Sequence, residues 1–239
     1  MNILLTNDDG FDSKGIRILK EKLEKYGKVV IVAPDSHMSA KSVSITIDRK
    51  LHIKKEGLNI YSCDGTPADC VSMALSLLDI KFDLVVSGCN NGLNISYDTI
   101  YSGTIGAGLQ ALMYHIPAIA FSSPYDDFHL VERHFVEVFD YIWSKNIISD
   151  EYLLNVNFPH GDEIKDISIG ELYYRQDEQL MMQAEDGGYL AYRNMETDFS
   201  KWPNSDCYQV EHGIVSIVPL GRTYFHPHLL ENLKKKMGL

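Results

Sequence analysis

The sequence has few basic residues, and this shortage excludes one class of partner. Against 33 Asp and Glu it has 22 Lys and Arg, which gives a formal net charge of -11. Proteins that bind a nucleic-acid polymer rely on basic patches, so we expect no such partner. A single mononucleotide is not excluded, because a metal ion and backbone amides can bind one phosphate.

Cysteines and long apolar runs are also scarce. The four cysteines, Cys63, Cys70, Cys89 and Cys207, form no C-x-x-C pair and no His/Cys zinc spacing. Such residues are typical of buried thiols in a reducing compartment. No apolar run approaches the roughly 18 residues of a membrane span, so no membrane association is expected. The first residues contain no basic segment and reach Asp8 after a short apolar run, unlike a signal peptide. We therefore expect a cytoplasmic protein.

Short apolar runs alternate with helical patterns through the first half of the chain, which predicts an α/β fold. Ile3–Leu5 and Val29–Val32 are continuous apolar runs of the kind buried on both faces of a parallel sheet. Between them, apolar residues recur at helical spacing from Ile16 to Tyr26, and Gly27 is the expected terminator. The opening βαβ unit should have a right-handed crossover.

A second helix is predicted from its start signal. Thr66 can act as N-cap, Pro67 occupies the first helical position, and Asp69 can complete a capping box. The same kinds of pattern predict strands at Leu84–Val86, Ala118–Phe121, Leu153–Val156 and Ile214–Val218, and helices starting near Thr104 and spanning Leu130–Trp143 and Leu229–Met237.

The segment 160–212 is polar and rich in tyrosine, with too few apolar residues for a core of its own. Within it, Asp186-Gly187-Gly188-Tyr189 is a turn signal between short alternating runs, which predicts a β-hairpin. We interpret residues 1–159 as the catalytic core and residues 160–239 as a hairpin appendage, a returning strand and a C-terminal helix. Both parts should form one structural unit.

Polar residues follow three of the predicted strands. Asp8 and Asp9 come directly after the first strand, Ser39 lies in the loop after the second, and Asn90 follows a later one. Ligands of open α/β sheets bind beyond the carboxyl ends of the strands. Adjacent carboxylates both stay ionised most easily beside a cation, and carboxylate, hydroxyl and amide oxygens suit Mg²⁺, Mn²⁺ or Ca²⁺. These four side chains are therefore candidate metal ligands.

Two weaker signals accompany this set. His37 is a candidate extra ligand, although a histidine in an exposed loop is more often not a ligand. The segment Tyr101-Ser102-Gly103-Thr104 precedes a predicted helix, and a helix N-terminus offers unpaired N–H donors and a favourable dipole to an anion. An ordinary capped helix would have the same sequence. Beside a cation site, the segment predicts a phosphate pocket.

Five segments, taken in order, resemble the SurE family of survival-protein nucleotidases. They are Ile3–Gly10, Val32–Asp35, Gly65–Cys70, Ser87–Asn90 and Tyr101–Thr104, and the resemblance returns at Ser205-Asp206 and Val215–Leu220. Each segment alone is a modest signal, whereas five in register are highly specific. The sequence departs from the family at Ala40, where the family has glycine, and at Lys41 and Val43; residues 160–204 match poorly.

The resemblance implies a Rossmann-like three-layer core with a mostly parallel sheet, and a C-terminal hairpin exchanged between subunits of a homodimer or homotetramer. It also implies one divalent cation, Mg²⁺ or Mn²⁺, and hydrolysis of nucleoside 5′- or 3′-monophosphates. On matching positions, the implied metal ligands are Asp8, Asp9, Ser39 and Asn90, and the implied phosphate contacts are Asn94, Ser102, Gly103 and Thr104. Asp8 is then the primary ligand, and Asp9 is the candidate to orient or deprotonate the attacking water.

Three other functions share parts of this pattern. A covalent aspartyl-phosphate phosphatase normally has Asp-x-Asp and a later lysine, which neither Ser87–Asn94 nor Ser122-Ser123 supplies. A non-enzymatic phospho-receiver module needs an acceptor aspartate after a later central strand, and this chain is about twice as long. A dinucleotide-binding oxidoreductase needs a G-x-G-x-x-G turn after the first strand, and Asn7–Gly10 has none.

Overall fold

The computed structural model of the chain describes residues 1–173, 179–184, 186–193, 198–222 and 227–237. The strands in these ranges are β1 Asn2–Thr6, β2 Lys28–Pro34, β3 Ile53–Gly57, β4 Ile60–Cys63, β5 Leu84–Asn91, β6 Ala118–Ser123, β7 Tyr152–Asn157, β8 Asp166–Ile169, β9 Gln179–Gln183, β10 Tyr189–Arg193 and β11 Ile214–Gly221. The helices are α1 Lys14–Leu23, α2 Pro67–Leu77, α3 Asp98–Tyr101, α4 Gly103–Met113, α5 His129–Ser144, α6 Asp206–Glu211 and α7 Pro227–Met237, with a 3₁₀ turn at Phe199–Lys201.

A mostly parallel sheet forms the centre of the molecule. In the described ranges it has nine strands in the order β3-β4-β2-β1-β5-β6-β7-β11-β8. The strands from β4 to β7 run parallel, whereas β3 and β11 are antiparallel to their neighbours β4 and β7. Residues of α1 and α5 pack on one face of the sheet, and residues of α2 and α4 pack on the other. The predicted α/β fold with three layers is confirmed.

Burial on both faces explains the continuous apolar strands. Ile3 and Leu5 belong to the core on the α1 and α5 side, whereas Leu4 belongs to the core under α2 and α4. Successive side chains of a strand point to opposite faces, so a strand covered by helices on both sides must be apolar throughout. The predicted central strands all form, each extended by two to five residues in the structure.

The start of α2 has the predicted cap, whereas the end of α1 differs from the prediction. The Thr66 side chain accepts from the Asp69 amide and the Asp69 carboxylate accepts from the Thr66 amide, which is a capping box. Helix α1 ends at Leu23, so Gly27 does not terminate it. A Cβ atom at Gly27 would lie 1.9 Å from the carbonyl oxygen of Met1. Glycine is needed there because two backbone segments touch.

The described residues between 160 and 222 include a hairpin and two strands of the main sheet. Strands β9 and β10 pair antiparallel, and the predicted turn at Asp186–Tyr189 lies between them and at the start of β10. Strand β8, which was not predicted, pairs parallel with β11 and so extends the main sheet. Strands β3 and β4 and helix α6 were also not predicted. None of the helices in the described ranges is long and apolar enough to span a membrane.

The capping box gives a first prediction, for stability. Replacing Thr66 by alanine removes the acceptor of the Asp69 amide (3.1 Å) and the donor to the Ser44 carbonyl (2.6 Å). Loss of an N-cap costs about 1 kcal/mol. We expect urea unfolding to show a lower free energy of unfolding for Thr66→Ala by about this amount, while Thr66→Ser stays near wild type. Equal stability of the alanine and serine variants would contradict the assigned cap.

Candidate metal and phosphate site

Asp8 lies just beyond the carboxyl end of β1 and is only 4% exposed. The Thr104 hydroxyl donates to Asp8 Oδ1 at 2.5 Å and lies 3.3 Å from Asn90 Oδ1. The Asn90 side-chain nitrogen Nδ2 donates to the Gly92 carbonyl at 2.8 Å, and Asn90 Oδ1 lies on the side of Thr104. One threonine hydroxyl therefore links the first strand to the end of β5.

Asp9 occupies a more open position than Asp8. Its Oδ2 accepts from the Asn91 amide at 3.0 Å, and its Oδ1 lies 3.4 Å from His37 Nδ1. Asp9, Ser39 and Asn90 all line a cavity of about 560 Å³. Three of the four predicted ligands thus face the same space, and the fourth, Asp8, is linked to Asn90 by Thr104.

The loop that carries Ser39 is held to this region by backbone contacts. The Met38 amide donates to the Asp8 carbonyl at 2.7 Å, and the Ser42 amide donates to the Tyr101 carbonyl at 2.9 Å. Ala40 has a φ of 57°. Only glycine adopts this left-handed conformation without a steric cost, which accounts for the glycine expected at this position from the family resemblance.

The amino end of α4 packs directly against Asp8. A Cβ atom at Gly103 would lie 2.9 Å from Asp8 Cβ and 3.0 Å from Asp8 Oδ2, so a larger residue would displace the carboxylate. The Ser102 side chain caps the helix by accepting from the Ile105 amide at 3.2 Å. Since helix amino ends attract negative charge, the structure brings Ser102, Gly103 and Thr104 to a place where a phosphate would be favoured.

The electrostatics of the two carboxylates favour a cation. Burial, together with a smaller effect of the negative charge of Asp9, raises the pKa of Asp8 from 3.8 to about 6 against the opposing hydrogen bond from Thr104. Among the described residues, no Lys or Arg nitrogen lies within 4.0 Å of either carboxylate. The described residues contain no group of three or more His, Cys, Asp or Glu that could hold a metal. A set of two carboxylates with a hydroxyl and an amide oxygen fits a hard cation, because such ions bind oxygen.

Asn94 lies in a buried polar network. Its amide donates to Asn157 Oδ1 at 2.8 Å, and its side-chain nitrogen donates to the Ser122 hydroxyl at 2.8 Å. Its carbonyl accepts from the side chains of Asn155 and Asn157 at 2.8 and 3.0 Å. The network fixes the Asn94 backbone, whereas a contact of Asn94 with phosphate stays a prediction.

The far wall of the cavity was missed by the sequence analysis. It is formed by Lys14 and Phe128 and by the exposed turn at Tyr125 and Asp126. This turn follows β6, which is a parallel strand of the same sheet. Ligands bind beyond the carboxyl ends of parallel strands, so the strand predicted at Ala118–Phe121 could have indicated that this turn borders the site.

The raised pKa of Asp8 gives a prediction for stability against pH. Because the folded state holds the Asp8 proton more tightly than the unfolded chain, the free energy of unfolding falls as pH rises from about 4 to 6, and the whole cost is present above that range. The shift corresponds to about 2–3 kcal/mol. With EDTA present, we compare the free energy of unfolding of Asp8→Asn with that of wild type. We expect the difference, in favour of the variant, to be larger at pH 7.5 than at pH 4 by about 2–3 kcal/mol.

The exposed Asp79 supplies the control for this experiment. Asp79→Asn should follow the wild-type pH dependence, because that carboxyl lies at the surface near the amino end of β5. Urea unfolding at a series of pH values measures all three proteins. A difference between Asp8→Asn and wild type that does not change with pH would show that Asp8 is not the titrating group.

Comparisons with known proteins agree over nearly the whole chain. A family model described as Survival protein SurE matches residues 3–179. The 5′-nucleotidase SurE of Protochlamydia amoebophila is 38% identical over 249 residues, covering 96% of this chain and 94% of the relative. The 5′-nucleotidase SurE of Clostridium botulinum (strain ATCC 19397 / Type A) is 34% identical over 248 residues, covering 98% of each.

A solved structure gives the same answer. The crystal structure of the SurE protein from Aquifex aeolicus superimposes with a TM-score of 0.86 at 31% sequence identity, covering 99% of this chain and 100% of that one. The family match spans well over half of the chain, and the curated relatives are matched over almost their full length. This chain therefore belongs to the SurE family of survival proteins.

Proposed function

We propose that the chain is a metal-dependent phosphomonoesterase that hydrolyses nucleoside 5′-monophosphates, with 3′-monophosphates as a second substrate class. The observation that carries this proposal is the contact of Asp8 with Thr104 and Gly103, which puts a carboxylate pair and a helix amino end at one place. The names of the relatives from Protochlamydia amoebophila and Clostridium botulinum support the same activity.

The proposed metal is one divalent cation, Mg²⁺ or Mn²⁺, held by Asp8, Asp9, Ser39 and Asn90. When bound, such a cation neutralises charge on the phosphate oxygens and makes the phosphorus more open to attack by water. The Thr104 hydroxyl keeps Asp8 and Asn90 in place, and the Asn91 amide fixes one oxygen of Asp9.

The chain's own residues supply the remaining steps. The amides at the start of α4, from Ser102 to Thr104, and the side chain of Asn94 hold the phosphate oxygens. Asp9 Oδ1 faces the cavity side of the site near His37 and orients or deprotonates the attacking water. Water gives up one proton as it adds to the phosphorus, the bond from phosphorus to the sugar oxygen breaks, and that oxygen takes up a proton in its place, so that nucleoside and phosphate leave.

The proposal includes an assembly and a compartment. We propose a homodimer or homotetramer in which the C-terminal hairpin is exchanged, because β9 and β10 pair with each other and not with the main sheet. We also propose a cytoplasmic protein, since the chain has only four cysteines and all four are buried in the structure.

The covalent aspartyl-phosphate mechanism has less support. A nucleophile must reach the phosphorus, and Asp8 is 4% exposed with one oxygen bound by Thr104. Lys14 does line the cavity, but its ammonium lies 3.6 Å from Glu132 and over the ring of Phe128. A phosphorylated Asp8 trapped with substrate would favour this mechanism over direct attack by water.

Phosphate release tests the proposal directly. A panel of nucleoside 5′- and 3′-monophosphates is incubated with Mn²⁺, Mg²⁺ or EDTA, for wild type, Asp8→Ala and the surface control Asp79→Ala. We expect metal-dependent release by wild type and Asp79→Ala, and a loss of at least about a hundredfold in Asp8→Ala, because the primary ligand is gone. No release with any metal from folded wild-type protein would refute the proposal and favour a binding module.

A further inference from the structure

The cavity continues well beyond the candidate catalytic residues. From Asp9, Ser39 and Asn90 it reaches the turn at Tyr125 and Asp126, which follows β6. A volume of about 560 Å³ is within the range of small-molecule sites and exceeds what a phosphate alone needs. The cavity lined by Asp9, Ser39 and Asn90 therefore has room for a group larger than a phosphate.

The far wall offers an aromatic ring without a ring contact and a carboxylate without an ion pair, as far as the described residues go. Tyr125 is 79% exposed, and its ring contacts no other aromatic ring among the described residues. In the same ranges, no Lys, Arg or His nitrogen lies within 4.0 Å of the Asp126 carboxylate. Lys14 does not neutralise it, because its ammonium lies beside Glu132. An aromatic face and an unpaired carboxylate therefore stand together at the mouth of the cavity.

Asn91 fixes this turn relative to the catalytic residues. Its backbone amide donates to Asp9 Oδ2 at 3.0 Å, and its side-chain oxygen accepts from the Asp126 amide at 2.6 Å. Asp126 has a φ of 58°, so the turn is a specific conformation and not an arbitrary loop. Two hydrogen bonds of one residue thus set the distance from Asp9 to the turn.

We infer that the turn at Tyr125 and Asp126 is the nucleoside subsite of this cavity. The Tyr125 ring stacks on the base, and the Asp126 carboxylate accepts hydrogen bonds from the ribose hydroxyls. The chemistry matches because a base has an apolar face, whereas a sugar offers hydroxyl donors and carries no charge that a carboxylate would repel. This inference rests on the proposed phosphatase function and assigns its substrate recognition to residues outside the metal and phosphate site.

The test compares a substrate with a base and one without it. kcat/KM is measured for adenosine 5′-monophosphate and ribose 5-phosphate with wild type, Tyr125→Ala and Tyr125→Phe. We expect Tyr125→Ala to lose about fivefold or more on the nucleotide and less than about twofold on the sugar phosphate, since stacking acts only on the base. Tyr125→Phe should keep the wild-type ratio. Tyr114→Ala, an exposed tyrosine at the other end of α4, should change neither value.

The role of the Asp126 carboxylate is tested with a substrate whose sugar lacks the 2′-hydroxyl. For Asp126→Asn we expect a smaller preference of the enzyme for adenosine 5′-monophosphate over its 2′-deoxy form, because the amide accepts hydroxyl protons less well than a carboxylate. The Asp126 backbone amide that binds Asn91 is kept in this variant. An unchanged ratio in both Tyr125→Ala and Asp126→Asn would overturn the inference.

Calorimetric binding of adenosine separates this inference from the proposed function. Adenosine has no phosphate, so its binding does not depend on hydrolysis. Binding to wild type that is lost in Tyr125→Ala, without phosphate release from any nucleotide, would overturn the phosphatase proposal and leave the subsite standing. Phosphate release by wild type with equal adenosine binding by Tyr125→Ala would overturn the subsite alone.

Discussion

The site depends on the close packing of the amino end of α4 against Asp8. Gly103 leaves no room for a side chain there, and the Thr104 hydroxyl binds the carboxylate. This contact fixes a negatively charged group and the exposed amides of a helix in one geometry. It also has a cost, because a carboxylate that is 4% exposed and beside Asp9 is held in an environment that disfavours its charge. Stability lost at such a site is the usual consequence of building function into a fold.

The central strands could be predicted from the sequence because nearly every residue in them is apolar. Val29–Val32 and Ala118–Phe121 are apolar throughout, since helices cover both faces of the sheet. The edge strands lack such a continuous apolar run. Strand β3 has the sequence Ile-Lys-Lys-Glu-Gly with three exposed residues, and it is a strand because it pairs with β4. That pairing is a tertiary contact, which a local pattern does not contain.

The candidate site was found from the rule that ligands bind at the carboxyl ends of parallel strands, yet the sequence could not separate the roles of its residues. Asp8 and Asp9 are adjacent, and only the structure shows that Asp8 faces Thr104 in the interior while Asp9 faces the cavity. The missed turn at Tyr125 has a similar reason. Its position depends on a hydrogen bond between Asn91 and Asp126, which are 35 residues apart in the chain.

Both halves of the site meet at the end of β5. The pairing of β5 with β6 shifts register between Ser87 and Asn90, and such irregularities redirect the side chains that follow. After the shift, Asn90 directs its side-chain oxygen towards Thr104, whereas Asn91 contacts Asp9 and the turn at Asp126. Two consecutive residues of one irregular strand end thus contact the Thr104 hydroxyl beside Asp8, the partly buried Asp9 and the turn at Asp126. A change in the register of this strand end would move all three together, so the backbone couples the proposed catalytic residues to the proposed nucleoside subsite.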